Sequence, residues 1–153
     1  MAKYTYVIGA DEISRKLERA KHEASEKLRL ALIKSGEEVA ADMRQLAEAS
    51  RRSGDLIESI HVTGPGETTP AHSADGGQRT AGEYEVLVTS GDSDTRHSHL
   101  VEGGTGERQH KDGTPTGTMP AKPFFNPAYR LNRDRIRRRL RRIINKAIKD
   151  AIK

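Results

Sequence analysis

One short stretch of the chain contains side chains with metal-binding chemistry: His97, His99, Glu102 and His110. In an extended segment, His97 and His99 would point to the same face, as some pairs of metal ligands do. Their spacing matches no closed zinc pattern, however, and they lie beside a glycine-rich segment, where polar residues are common. We therefore expect hydrogen-bonded or solvent-exposed histidines, with a small metal-dependent enzyme as the alternative.

Two further patterns could carry catalysis, but both lack essential parts. Segment 103–107 is rich in glycine like a phosphate-binding loop, yet no Gly-Lys-Ser/Thr follows at the required spacing. Ser53 or Ser59 could act as a nucleophile with His61 as its base, but no elbow motif surrounds either serine. The sequence therefore predicts no catalytic residue, no cofactor and no bound metal.

Composition narrows the possible functions further. The 153 residues are 33% hydrophobic and 32% charged, with six aromatic residues, no Trp and no Cys. Without cysteine, disulfide scaffolds, zinc sites with Cys ligands, iron–sulfur clusters and thiol catalysis are excluded. No run reaches the ~18 apolar residues of a membrane span, and the N-terminus does not resemble a secretory signal. We expect one thin domain over residues 1–153, completed by partner subunits in a reducing cytoplasm and without a membrane partner.

Positive charge is concentrated in residues 130–153. This segment contains eight Arg and three Lys against two Asp, a local charge of +9. Because the whole chain is at +5, residues 1–129 carry −4. Arginine binds phosphate and carboxylate oxygens in a bidentate manner, so the segment is expected to face nucleic acid or an acidic protein, unless it is a solvated outer face. The candidate contact residues are Arg137, Arg138, Arg141, Arg142 and Lys149.

Helices are predicted at both ends of the chain. Apolar residues recur at helical spacing through 11–50, and Ser35-Gly36 is the expected kink or break. A second helix is expected over 127–152, because Pro127 suits a first helical turn. Its predicted apolar stripe consists of Ala128, Leu131, Ile136, Leu140, Ile143, Ile144, Ala147, Ile148 and Ile152.

A small antiparallel sheet is expected between the helices, within a β region at 56–105. Residues 56–62 read as a helical turn that runs into a strand, and 83–90 is the clearest strand. Residues 97–102 read as a further extended or short helical piece. Of two glycine-rich stretches, 64–82 is expected to be a long exposed loop or a disordered one, and 103–120 a second loop. The order of elements predicts an α+β fold.

Three motifs, taken in order, resemble a family of phage proteins. Residues 53–60, SGDLIESI, resemble a TG-x-L-x-x-SI segment, and residues 99–106, HLVEGGTG, are similar to a Y/H-x-x-x-VE-F-GT segment. Residues 119–128, MPAKPFFNPA, resemble an M-x-A-R/K-PF-x-x-PA segment. The family is the head–tail joining, neck and tail-completion group of long-tailed phages and prophages, relatives of the minor tail protein that completes the lambda tail. The chain departs from the family pattern at two positions. Ser53 stands where the family usually has Thr, and Gly104 stands where it usually has an aromatic residue.

The motif residues are expected to build a scaffold. They are Gly54, Leu56, Ser59, Ile60, Val101, Glu102, Gly103, Thr105, Pro123, Phe124, Phe125 and Pro127. Proline at 120 and 123 keeps the preceding residues extended before the last helix. Phe124 and Phe125 are expected to anchor that helix on the sheet. Gly103 and Gly104 permit a sharp reversal of the chain.

The resemblance implies a structural virion protein at the head–tail junction, assembled in the bacterial host cytoplasm. Identical subunits would form a six- or twelve-fold ring around a channel for double-stranded DNA, in contact with connector and tail proteins. A long helix with a narrow apolar stripe agrees with subunit packing in a closed ring. The alternative function is a cytoplasmic nucleic-acid-binding protein that uses the basic C-terminal helix.

Overall fold

The computed structural model describes residues 10–73 and 77–152, with side chains described for 11–73 and 77–150. The fold is α+β, as expected. Its elements, in chain order, are α1 (Ala10–Ala47), a 3-10 turn (Glu48–Ser50), α2 (Asp55–Glu58), β1 (Ile60–Thr63), β2 (Leu87–Ser90), α3 (Ser98–Gly103), β3 (Thr105–Gln109), β4 (Pro115–Met119) and α4 (Phe125–Ile152). Within the described residues, no helix is both long enough and apolar enough to cross a membrane.

The two long helices, α1 and α4, pack against each other in antiparallel directions. Near the start of α4, the Asn132 amide donates to the Asp42 carboxylate at 2.6 Å. Two turns further along α4, the Arg139 guanidinium donates to the Ser35 hydroxyl at 2.8 Å. Contacts thus move towards the N-terminus of α1 as α4 proceeds, so the end of α4 lies beside the beginning of α1.

A break of the helix at Ser35-Gly36 was wrong, because α1 runs through this point as one helix. A Cβ atom on Gly36 would lie 2.6 Å from Val86 Cγ1 and 3.0 Å from Val62 Cγ1. Glycine therefore lets α1 lie directly on the small sheet, and this contact offsets the ~1 kcal/mol that glycine costs in a helix. The Ser35 hydroxyl donates to the Ala31 carbonyl inside the same helix.

The hydrophobic core is formed by the second half of α1, α2, β1, α3 and the first turn of α4. Its buried residues are Val39, Ala40, Met43, Ala47, Leu56, Ile60, Val101, Phe124 and Ala128. The first half of α1 does not take part, since Ile13 and Leu17 are 56% and 50% exposed. A chain poor in large apolar residues has thus placed one compact core at one end of the helix pair.

The first sheet pairs β1 and β2 in antiparallel register, with Ile60 opposite Ser90 and Thr63 opposite Leu87. The second strand is shorter than the predicted 83–90. Its C-terminal end is fixed by Ser59, whose hydroxyl accepts the Gly91 N–H at 3.1 Å.

Both predicted loops have more structure than expected. Most of 103–120 is an antiparallel hairpin of β3 and β4, whose described side chains are nearly all exposed. Backbone pairing and a few polar side-chain contacts hold this hairpin together, so no hydrophobic alternation indicated it. In 64–82, Thr69 N–H donates to the Arg79 carbonyl, and Ala81 N–H to the Glu67 carbonyl, both at 2.9 Å. Residues 74–76 of this loop lie outside the described residues.

Helix α4 begins at Phe125, two residues earlier than predicted, with Pro127 inside its first turn. Leu131 was wrongly assigned to the apolar stripe, because its side chain is 71% exposed. The side chain of Ile152 lies outside the described residues. The piece at 97–102, for which strand and helix were both open, is the helix α3.

Candidate functional site

Residues of all three motifs meet around a cavity of about 350 Å³ near the start of α4. The first motif contributes Gly54, Leu56 and Ile57, and the second contributes Val101 and Thr105; Met119 belongs to the third. These segments are far apart in the sequence, so the fold brings them together. The arrangement connects α2, α3 and the entry to α4.

Glu102 caps the N-terminus of α4. Its Oε2 accepts the backbone N–H groups of Phe124 and Phe125 at 2.7 and 2.8 Å, and its Oε1 accepts the Asn126 N–H at 3.0 Å. These bonds satisfy donors that have no partner within a helix and place negative charge at the positive end of its dipole. Burial opposes ionisation of the carboxyl, but the hydrogen bonds outweigh it and hold the Glu102 pKa below its ordinary value.

The first motif fixes the junction between α2 and the sheet. Ser59 Oγ donates to the Leu56 carbonyl at 2.8 Å and accepts from Gly91, so it cannot serve as a free nucleophile in this arrangement. Leu56 and Ile60 are buried in the core. Gly54, with a φ of 113°, precedes α2 in the left-handed region.

The second motif joins α3 to the hairpin. Val101 is buried, and its carbonyl accepts the Lys122 N–H at 2.9 Å. Thr105 Oγ1 accepts the Met119 N–H, also at 2.9 Å. Gly104, and not Gly103, has a positive φ, of 71°, and a Cβ there would lie 2.7 Å from the Ala121 nitrogen. In this chain the position therefore requires glycine.

The third motif carries the two phenylalanines, and their environments differ. Phe124 is 1% exposed and lies in the core, whereas Phe125 is half-buried and packs against it. Pro123 is exposed and Pro127 is half-buried.

The five basic residues proposed for contacts share one exposed face of α4. We call Arg137, Arg138, Arg141, Arg142 and Lys149 the basic face. None of them has an ion-pair or hydrogen-bond partner within residues 11–73 and 77–150. Three of the arginines line a shallow groove together with Asn145. The face is therefore available for an acidic partner.

Sequence reasoning did not find the polar contacts that join α4 to α1. Arg139 donates through Nη2 to both oxygens of Glu38, at 2.7 and 2.8 Å, and Arg135 lies 3.3 Å from the same carboxylate. The hydrogen bond from Arg139 is the main reason that the Glu38 pKa is below its ordinary value, against the opposing effect of burial. One signal in the sequence could have indicated them. Arg135 and Arg139 are four residues apart and therefore lie on the same side of the helix as the apolar Ile136.

The four side chains considered as metal ligands do not come together. His97, His99 and His110 are exposed, and the Glu102 carboxylate is engaged by α4. Among the residues that the structure describes, no group of three His, Cys, Asp or Glu side chains is placed to hold a metal ion. Ser53 donates to the Asp55 carboxylate at 2.7 Å.

Comparison with known proteins gives one family. The model of the family described as "Bacteriophage HK97-gp10, putative tail-component" matches residues 11–104, more than half of the chain. The match spans α1 to α3 and includes the first motif and most of the second. No curated protein and no solved structure shows a significant match to the chain.

Proposed function

The chain belongs to the HK97-gp10-like family of bacteriophage tail components, and on this basis we propose that it acts at the head–tail junction of the virion. In this proposal, identical subunits form a ring that joins the connector to the tail around the channel for double-stranded DNA. Its role is structural, and we assign it no catalytic activity and no cofactor.

The unpartnered basic face of α4 is the observation that carries this proposal. Five exposed cations on one side of a helix form a positive patch that favours contact with an acidic surface. Other arginines of the same helix, Arg135 and Arg139, share the carboxylate of Glu38. The helix thus has an inner set of paired charges and an outer set that suits an intermolecular contact.

Exposed apolar residues outside the core support assembly into a larger structure. Leu30 and Leu131 are 66% and 71% exposed. A polar chain that leaves large aliphatic side chains in water gains stability when neighbouring subunits cover them. Packing of one subunit on the next in a closed ring would provide this cover.

We place an acidic protein surface opposite the basic face in preference to DNA. Bidentate arginine contacts hold phosphate tightly, and a ring multiplies the contacts of each subunit. A channel through which DNA must pass quickly is poorly served by such contacts. Residues 1–129, which carry −4, could supply part of the acidic surface from a neighbouring copy, and an adjoining ring could supply the rest.

Charge reversal on the basic face tests the proposal. The double variant Arg138→Glu/Arg141→Glu should prevent joining of heads to tails while both particles remain intact by electron microscopy. A matched control, Arg108→Glu/Lys111→Glu in the exposed β3–β4 hairpin, makes the same change in net charge and should join normally. If the α4 variant still joins particles but the virions lose DNA, the basic face lines the channel. If the variant forms stable, DNA-filled virions, the proposed contact is wrong.

Nucleic-acid binding remains the second candidate, because Arg138, Arg141, Arg142 and Asn145 line one groove on this face. It requires that the purified protein bind duplex DNA with an affinity that falls steeply as salt rises. The same double reversal should then abolish binding, while the hairpin control retains it. Absence of salt-sensitive binding in the unmodified protein would exclude this candidate.

A further inference from the structure

The cavity where the three motifs meet has aliphatic walls. It is lined, from α2, α3 and the end of β4, by Leu56, Ile57, Leu100, Val101 and Met119. Leu56 and Val101 are buried, at 8% exposure each, and form its floor. With about 350 Å³, the cavity lies within the range of about 300–1,000 Å³ that is typical of ligand pockets. It therefore has room for one large apolar side chain of another molecule.

Three cations line the same cavity. They are Arg51, Arg52 and Lys122, and no Asp or Glu is among the described residues that line it. All three cations are exposed, whereas the aliphatic residues of the walls are buried or half-buried. Positive charge thus surrounds the opening of an apolar cavity. This combination favours a ligand that carries an apolar group and negative charge close together.

The positive charge at this opening is available to a ligand. Arg52 has no ion-pair or hydrogen-bond partner within residues 11–73 and 77–150. Lys122 Nζ donates to the Ala49 carbonyl at 3.1 Å, which positions the ammonium group without neutralising it. Arg51 lies 3.2 Å from the Glu48 carboxylate, but both side chains of this pair are exposed, so water screens it. A carboxylate that approaches the cavity therefore meets a positive surface.

We propose that this cavity binds an acidic segment of a partner protein, with one large apolar side chain in the cavity and neighbouring carboxylates against Arg52 and Lys122. Removal of the apolar side chain from water would drive binding. Arginine can hold a carboxylate through two parallel hydrogen bonds, and the positive opening would disfavour basic segments. A polypeptide supplies both groups within a few residues, whereas the phosphates of DNA would leave the aliphatic walls uncovered.

The proposed site is separate from the basic face of α4. No described residue that lines the cavity belongs to α4, which begins at Phe125. The inference is therefore independent of whether the basic face takes part in head–tail joining. Its test is also independent, because peptide binding is measured on the purified chain and requires no virion.

Binding of synthetic peptides to the full chain tests the proposal. The probe is the amidated peptide Gly-Glu-Leu-Asp-Phe-Glu-Gly with an N-terminal fluorophore, and binding is measured by fluorescence anisotropy. One matched peptide has Lys in place of each acidic residue, and another has Ser in place of Leu and Phe. The probe should bind several-fold more tightly than both. Absence of binding, or equal binding of all three peptides, would overturn the proposal.

NMR spectra of the isotope-labelled chain locate the bound probe. The amide signals of Leu100 and Val101, which line the cavity, should shift most when the probe is added. Shifts confined to residues outside the cavity would overturn the proposal even if the probe binds.

Charge reversal at the opening provides a further measurement. Arg52→Glu/Lys122→Glu should weaken binding of the probe several-fold, because it places carboxylates opposite the acidic residues of the peptide. The matched control Arg15→Glu/Lys16→Glu makes the same change in net charge at exposed positions near the other end of α1 and should bind the probe normally. Equal affinity of the two variants would overturn the proposal. Self-association of the unmodified chain that only the first variant abolishes would also overturn it, by assigning the cavity to a second copy.

Discussion

The guanidinium of Arg139 contacts both carboxylate oxygens of Glu38, 101 positions away in the sequence. The Glu38 and Arg139 side chains are 24% and 18% exposed, so water only partly screens the pair. Ser35 accepts a further hydrogen bond from the same guanidinium. Arg139 lies midway along α4 and Glu38 lies in the last third of α1, so this contact fixes the position of α4 on α1.

Replacement of Glu38 should destabilise the fold. In Glu38→Gln the partly buried Arg139 loses its charged partner, and we expect a loss of about 1–3 kcal/mol in the free energy of unfolding. Urea denaturation measures this loss. Glu37→Gln is the matched control, because Glu37 is adjacent, exposed and outside the helix contact. Equal stability of the two variants would mean that the pair contributes little.

Acid should weaken the fold through two carboxyl groups whose pKa values are below the ordinary 4.5, Glu38 and Glu102. A lowered pKa in the folded state means that the unfolded chain binds protons more readily. The resulting stabilisation is fully present above pH 4.5 and is lost as pH falls through the lowered values. Urea midpoints recorded between pH 7 and about pH 3 should therefore fall on the acid side.

The variant Glu102→Gln isolates the helix cap within this pH dependence. It should be less stable than the unmodified protein at pH 7 and lose less stability in acid, since the titrating carboxylate is gone. Glu107→Gln, in the exposed hairpin, is the control and should keep the unmodified profile. An unchanged acid slope in Glu102→Gln would contradict the capping role.

A side chain at position 36 should be harmful even though alanine favours helix by ~1 kcal/mol over glycine. In Gly36→Ala the new Cβ would press on Val86, and overpacking of this kind costs about 1–3 kcal/mol. Val86→Ala removes the atom that lies 2.6 Å away, so the double variant should be more stable than additive costs imply. Thermal or urea unfolding of both single variants and the double variant completes the cycle. Strict additivity would mean that the contact is not strained.

Phe124 should matter more to folding than Phe125 or the histidines. Phe124→Ala removes a fully buried ring from the core and should cost about 3–5 kcal/mol. Phe125→Ala should cost less, because that ring is half-buried. His97→Ala/His99→Ala changes two exposed residues and should stay within about 0.5 kcal/mol of the unmodified protein. A histidine variant less stable than Phe124→Ala would reverse this order.

Periodicity located both long helices, because α1 and α4 each carry an apolar face at helical spacing. It failed at Gly36, where contact with Val86 outweighs helix propensity, and at β3–β4, where exposed strands show no alternation. Leu131 followed the helical pattern only approximately and points away from the core. Residue spacing and helix propensity describe neighbouring residues only, so they could not predict these effects of contacts between distant segments.

Only some residues of the candidate site could be predicted from the sequence, because the others depend on contacts between distant segments. Basic residues on α4 were evident because charge accumulates in one segment. Glu102 stood out by its neighbours, but a carboxylate can bind a metal ion or backbone N–H groups equally well, and only the position of α4 distinguishes the two. The Glu38–Arg139 contact depends on helix register across a hundred residues, which no local pattern encodes.

The order of the two paired helices along the chain has a consequence for synthesis. The contacts that join α4 to α1 connect positions 90 to 104 residues apart. At a translation rate of roughly 5–20 residues per second, α1 leaves the ribosome about 5–20 s before its partner helix. During that interval its apolar face has no α4 to cover it. The exposed apolar face of α1 can therefore bind chaperones, or neighbouring nascent copies, before α4 has been synthesised.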